Sequence, residues 1–183
     1  YGSITPQNQS LDPERNRNYE IGTKWAVADG HLLLTAALFR TEKTNARVTT
    51  GAGSAAVTNL EGEQRVDGIE LGMAGNFGER LSLFGGYTWL DTEIVSSPDA
   101  NQVGKSLPNV AERSFSLQAR YQWTDAFAIG GTASYASEIN GGTVVATSTE
   151  IPDWWRGDLF AEYRFTAGLS ARLNVLNITD ETY

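Results

Sequence analysis

Polar and apolar residues alternate with a period of two along most of this chain. From Ser114 to Thr124 the apolar set is Phe115, Leu117, Ala119, Tyr121 and Trp123, interleaved with Ser114, Ser116, Gln118, Arg120, Gln122 and Thr124. That period belongs to a β-strand whose two faces meet different surroundings. The next stretch repeats it, with Phe127, Ile129, Gly131, Ala133 and Tyr135 against Ala128, Gly130, Thr132 and Ser134. Leu81, Leu83, Gly85, Tyr87 and Trp89 form another such series, and weaker ones run through Tyr19–Val27, Ile69–Phe77, Leu159–Phe165 and Leu169–Val175. With 32–40 the pattern predicts eight strands. The second face carries Ser, Thr, Gly, Gln, Glu and Arg. A soluble eight-stranded barrel fills its interior with side chains, so that face is wrong for one. A sandwich with a wet outer face, or a barrel with lipid outside and a polar lumen, both fit.

The connections separate these two. Asp29-Gly30, Gly78-Glu79-Arg80, Thr124-Asp125-Ala126 and Ala167-Gly168 are tight, and they alternate with long stretches around 44–59, 92–109 and 137–153. A further long stretch begins after Asp180. Short turns on one rim and long loops on the other are the habit of outer-membrane barrels, and no rule imposes it on a sandwich. Strands of ten residues also match what a tilted strand needs to cross a bilayer. Trp25, Tyr87, Trp89, Tyr121, Trp123, Tyr135 and Tyr163 all share the apolar parity, mostly near strand ends, where interfacial girdles place such rings.

Composition then removes other classes. Nineteen glycines and nineteen aromatics (Trp 5, Tyr 7, Phe 7) in 183 residues are too structured a mixture for a disordered tract. No apolar run is long enough for a transmembrane helix. The negative mean hydropathy of −0.31 agrees with a barrel, half of whose strand residues are polar. A net charge of −8 argues against nucleic acid as a partner. The absence of cysteine excludes disulfides and thiolate metal sites. The opening Tyr1-Gly2-Ser3-Ile4-Thr5-Pro6 has no signal-peptide character and leads us to expect a chain trimmed from a longer one.

Several stretches are similar to a known family. They are 17–25 (Arg-Asn-Tyr-Glu-Ile-Gly-Thr-Lys-Trp), 38–47 (Leu-Phe-Arg-Thr-Glu-Lys-Thr-Asn-Ala-Arg), 66–72 (Val-Asp-Gly-Ile-Glu-Leu-Gly) and 86–91 (Gly-Tyr-Thr-Trp-Leu-Asp). Toward the end come 151–158 (Ile-Pro-Asp-Trp-Trp-Arg-Gly-Asp) and 173–183 (Leu-Asn-Val-Leu-Asn-Ile-Thr-Asp-Glu-Thr-Tyr). In order and spacing these resemble the C-terminal barrel of TonB-dependent siderophore receptors, especially the catecholate type. The resemblance implies an all-β transmembrane antiparallel β-barrel, of which this chain supplies about eight strands of a presumed 22 around a plugged lumen. It implies one partial barrel domain over residues 1–183, with the plug and the last strand absent. It implies a bacterial outer-membrane receptor that takes up ferric siderophores with energy from TonB, the contact with TonB lying in the absent plug region. The iron arrives already chelated, so no protein cofactor is expected. Gly68 is expected to permit a kink or close backbone approach in a long strand, and 174–180 to leave the membrane through a turn built on Asn and Asp.

Catalysis has little support. His31 is the single histidine and flanks the Asp29-Gly30 turn, on the wrong rim for outer-rim chemistry. Asp91, Glu93 and Asp99 read as a solvated loop face rather than a metal site. The 51–56 run (Gly-Ala-Gly-Ser-Ala-Ala) lacks the lysine and helix of a phosphate loop and reads as a loop tip. An anionic, aromatic ferric siderophore would be met by cations and stacking rings. The candidates on the long-loop side are Arg40, Arg47, Lys105, Arg113, Trp154, Trp155 and Arg156. Each tryptophan suits an interfacial anchor at least as well, and each arginine better suits pairing with a nearby carboxylate such as Glu42, Glu112 or Asp158. The rival readings are a complete eight-stranded outer-membrane barrel with a structural or adhesion role, a TonB-dependent receptor for another cargo, and a soluble β-sandwich.

Overall fold

The computed structural model describes residues 13–50, 57–142 and 150–182, with the backbone alone for 47–50 and 57–61. The ordered elements are strands: β1 (Arg15–Val27), β2 (Leu32–Thr50), β3 (Val57–Phe77), β4 (Leu81–Ser96), β5 (Arg113–Gln122), β6 (Phe127–Ala136), β7 (Ile139–Asn140), β8 (Glu150–Ile151), β9 (Trp154–Thr166) and β10 (Leu169–Val175). Eight of them form one antiparallel sheet in the order β1-β2-β3-β4-β5-β6-β9-β10, and β7 pairs with β8 in a two-stranded patch of its own. All eight strands read from the alternation are present. Tight connections at 28–31, 78–80, 123–126 and 167–168 do alternate with long ones.

The register sorts the side chains into two faces, because directly paired residues lie on the same side. Successive rows on one face are Trp25–Leu34–Met73–Gly85–Leu117, then Thr23–Ala36–Leu71–Tyr87–Phe115, then Ile21–Leu38–Ile69–Trp89–Arg113. The opposite face carries Gln118 against Thr132, Arg120 against Gly130 and Glu162 against Arg172. The apolar face is bare. Ile21 is 73% exposed and Leu173 68%, and the buried hydrophobics among the described residues are only Leu32, Ala46, Ile94, Ala128 and Phe160. A sandwich would have packed this face against a second sheet. One sheet with an uncovered apolar face is a membrane wall, with the polar face toward the lumen. The sheet is open: β1 and β10 are its edges, whereas a closed eight-stranded barrel pairs its first strand with its last.

Three details differ from expectation. The stretch 44–59 is largely strand rather than loop, since β2 and β3 pair as far as Thr50↔Val57. Beyond Thr44, where β1 ends its pairing, they continue as a two-stranded ribbon with two register shifts, and Asn45 has φ 55°. The 51–56 run lies outside the described residues. The 137–153 stretch contains the β7–β8 pair. At Gly68 the close approach is made by a ring and not by backbone: an added Cβ would lie 2.2 Å from Phe39 Cζ. Phe39 and Gly68 are register partners on the lumenal face, so the glycine leaves the space the ring occupies.

The expected turn after β10 is present. Asn177 and Asp180 both have positive φ, at 51° and 52°. The Asn177 side chain accepts from Glu181 N at 3.1 Å and donates through Nδ2 to Glu181 O at 2.9 Å. Asparagine and aspartate supply such turns because their short polar side chains bond nearby backbone.

Candidate functional site

The long connections meet at one rim. The 97–112 segment folds back on the end of β4, where Ile94 N donates to Lys105 O at 2.8 Å and Gly104 N to Ile94 O at 2.9 Å. Leu107 N donates to Thr92 Oγ1 at 3.0 Å. Asn109 N reaches Asn140 O at 2.8 Å, tying this segment to β7. The 177–181 turn closes over β9, with Asn177 N on Asp158 Oδ1 at 2.7 Å and Thr179 Oγ1 on Trp155 O at 3.1 Å. Between the end of β4, the 97–112 segment and β7 lies a depression of about 280 Å³ whose lining includes Asp91, Leu107, Glu112, Glu138 and Asn140. Its acidic lining was not foreseen. Glu138 sits in a stretch where alternation is absent, so no sequence signal aimed it there.

The register distributes the candidate residues between the faces. Arg40 pairs across the sheet with Asp67 and shares its parity with Leu38 and Leu34, so it lies on the outward face, one row above the hydrophobic band. There it makes a two-pronged ion pair, Nε to Oδ1 at 2.6 Å and Nη2 to Oδ2 at 2.9 Å. Arg65 stands 3.5 Å from the same carboxylate and also pairs with Glu93. The result is a charged rank, Arg40–Asp67–Arg65–Glu93, across β2, β3 and β4. Arg113 is outward too, opposite Trp89. Its guanidinium is 3.3 Å from Glu112 Oε1, which also accepts the Trp89 indole Nε1 at 3.0 Å. That hydrogen bond, backed by the Arg113 charge, holds the Glu112 carboxyl below the usual glutamate range. Trp155 is outward and stacked: its ring centroid is 4.6 Å from that of Tyr135 and 6.2 Å from that of Phe115. These three rings form a girdle on the long-loop side. Tyr121–Trp123 and Tyr163–Phe165, with centroids 6.1 and 4.8 Å apart, form its counterpart at the short-turn rim.

Trp154 and Arg156 face the lumen, paired with Ala136 and Ser134. Arg156 Nε is 3.1 Å from Asp158 Oδ1. Lys105 is exposed in the folded-back 97–112 segment. The side chain of Arg47 lies outside the described residues, although its backbone belongs to β2. The structure therefore groups Trp154 and Arg156 on one face, places Lys105 above the same rim, and sets Arg40, Arg113 and Trp155 on the other face. His31 is exposed at the short-turn rim.

Comparison with known proteins agrees with this architecture over the full chain. The family described as "TonB dependent receptor-like, beta-barrel" matches residues 1–178. The siderophore receptor PiuA of Acinetobacter baumannii is 35% identical over 99% of this chain and 25% of its own length. Its crystal structure superposes with a TM-score of 0.89, 33% identity, and coverage of 98% of this chain and 26% of that one. The catecholate siderophore receptor Fiu of Escherichia coli is 37% identical over 100% of the chain and 24% of its own length. Its closed-form crystal structure gives a TM-score of 0.83, 35% identity, and coverage of 100% of this chain and 26% of that one. The metal-pseudopaline receptor CntO of Pseudomonas aeruginosa is 30% identical over 100% of the chain and 26% of its length. The chain thus spans about a quarter of the length of the relatives it matches. Its sheet, its two sorted faces and these matches place the chain in the TonB-dependent receptor β-barrel family of the bacterial outer membrane.

Proposed function

We propose that this chain is wall and outer-loop structure of a receptor that captures ferric siderophores of the catecholate class and imports them with energy drawn from TonB. The observation that carries this reading is the unbroken match, in sequence and in strand order, to PiuA and Fiu. In the proposed scheme the long connections capture the chelate from outside. A lumenal plug, contributed by another part of the whole receptor, then yields to TonB and lets the chelate pass. The iron remains inside its chelator throughout, so the wall needs no metal ligand of its own.

Of the residues described, Trp154, Arg156 and Lys105 are the ones we assign to capture. Trp154 offers a ring for a catechol to stack on, and the two cations offer charge to an anionic chelate. Arg40, Arg113 and Trp155 are assigned to the membrane rim instead. A different cargo is the second reading, and the 30% likeness to a metal-pseudopaline receptor favours it specifically. The test is iron uptake by cells expressing the full-length receptor, supplied in turn with a ferric catecholate and a metal–pseudopaline complex. Uptake of the catecholate alone supports the first reading. Uptake of the metallophore alone sinks it.

A further inference from the structure

The wall of a barrel is convex, yet this one contains a hollow. On the outward face a depression of about 380 Å³ lies between the row of Trp25, Leu34 and Met73 and the row of Leu71, Tyr87 and Phe115. Its floor is at Gly85. A Cβ there would come within 2.7 Å of Ser116 O and 3.0 Å of Leu117 Cδ1, so the backbone packing forbids a side chain from filling the space. Small residues, Ala36 and Thr23, extend the hollow toward β1.

We propose that this groove holds one acyl chain of a phospholipid from the periplasmic leaflet as a bound ligand, distinct from the freely exchanging lipid around the rest of the wall. A chain against a convex surface touches protein on one side. In the groove it touches the floor and both flanks, and dispersion contacts sum with the number of neighbouring atoms. Met73, on the flank, is the side chain best able to adjust its shape to the chain.

The hydrogen-bonding groups at the two ends select the leaflet. Trp25 stands three residues before the 28–31 turn, at the short-turn rim, which faces the periplasm in such barrels. Its indole N–H has no partner among the described residues, and buried or interfacial indoles seek one. At that depth the available acceptors are ester carbonyl and phosphate oxygens. At the groove's opposite end, on the rows of Arg40 and Trp89, Trp89 Nε1 donates to Glu112, Arg40 is held by Asp67, and Arg65 by Glu93. An outer-leaflet glycolipid would find those cations occupied, whereas a periplasmic phospholipid finds a waiting donor.

The inference rests on the wall placement and not on the cargo, so a failure of siderophore uptake leaves it standing. The test uses the full-length receptor, purified from outer membranes in mild detergent and examined by native mass spectrometry while dioleoyl phosphatidylethanolamine is titrated in. The wild type is expected to retain one phospholipid. Ala36→Phe, which fills the groove from the lipid side, is expected to lose it. Trp25→Phe keeps the ring but not the N–H and should weaken retention about fivefold, the worth of one net hydrogen bond. Ala161→Phe, on the outward face of β9 and paired with Ile129 and Leu173, neither of which lines the groove, should retain it and serves as the control for folding. Equal retention by wild type and Ala36→Phe, no retained phospholipid in the wild type, or lipid A in its place would each overturn the proposal.

Discussion

Glu112 shows how a single carboxylate joins rim chemistry to the loops. It accepts the Trp89 indole and lies beside Arg113, and its pKa is lowered, first by the indole hydrogen bond and then by the arginine charge. A carboxyl depressed in the folded state contributes stability above the ordinary glutamate range and loses it as pH falls through the lower folded value. Acidification should therefore leave the Trp89 environment intact through the usual glutamate titration and release it only below. Glu112→Gln should abolish this acid transition in tryptophan fluorescence; an unchanged transition would show that another group controls it. Parity makes a second residue-scale forecast. Trp155→Ala should lower stability, with the aromatic pairing worth about 0.5–1.5 kcal/mol beyond its buried area, and leave chelate affinity alone. Arg156→Ala should do the reverse, raising the Kd for a ferric catecholate with little change in unfolding. This division was already legible in the alternation. Arg40 continues the even-numbered series of Leu34 and Leu38, Arg113 the odd series of Phe115, and Arg156 the polar series of Asp158. What the alternation could not tell was which partner each guanidinium takes, because that follows from the neighbouring strand's register.

The strands themselves were readable wherever one face meets hydrocarbon, since there the two faces must differ in every residue. The outer ends of β2 and β3 were not. Past Thr44 the ribbon runs on beyond β1 with two register shifts, so Thr-Asn-Ala-Arg keeps no steady alternation and looks like loop, although Ala46 is buried. Glycine was legible as a special position but its purpose was not. Only the register shows that Phe39 lies over Gly68 on the lumenal side. Gly68→Ala should displace that ring and cost about 1–3 kcal/mol, the usual penalty of overpacking. Phe39→Ala should remove most of that cost in the double variant, a coupling that urea unfolding in vesicles would read as non-additivity. Additive penalties would mean that the ring and the glycine are independent.

At the scale of the whole wall, adjacent residues on one strand answer to different solvents. Leu117→Arg puts a guanidinium into hydrocarbon and should destabilise the full-length receptor by about 2–4 kcal/mol if the site lies near the midplane. Gln118→Arg, one residue on, enters the polar lumen opposite Phe84 and Thr132 and should be close to neutral. Equal penalties in a vesicle refolding equilibrium would mean that the two faces are misassigned. The edges carry the corresponding argument for the sheet. β1 and β10 have paired on one side only, and each peptide group left on the free side has no water to bond within a bilayer. An unsatisfied amide in hydrocarbon costs several kcal/mol, and β1 alone spans Arg15–Val27. Against that, apolar burial in lipid cannot compensate, because the arc gains no more of it per strand than a closed barrel does. The 183-residue chain added by itself to phospholipid vesicles should therefore fail to insert as a stable wall and remain sensitive to protease throughout. Protection of its strands at the level seen in the full-length receptor would require the two edges to find each other, a closure that the present register does not contain.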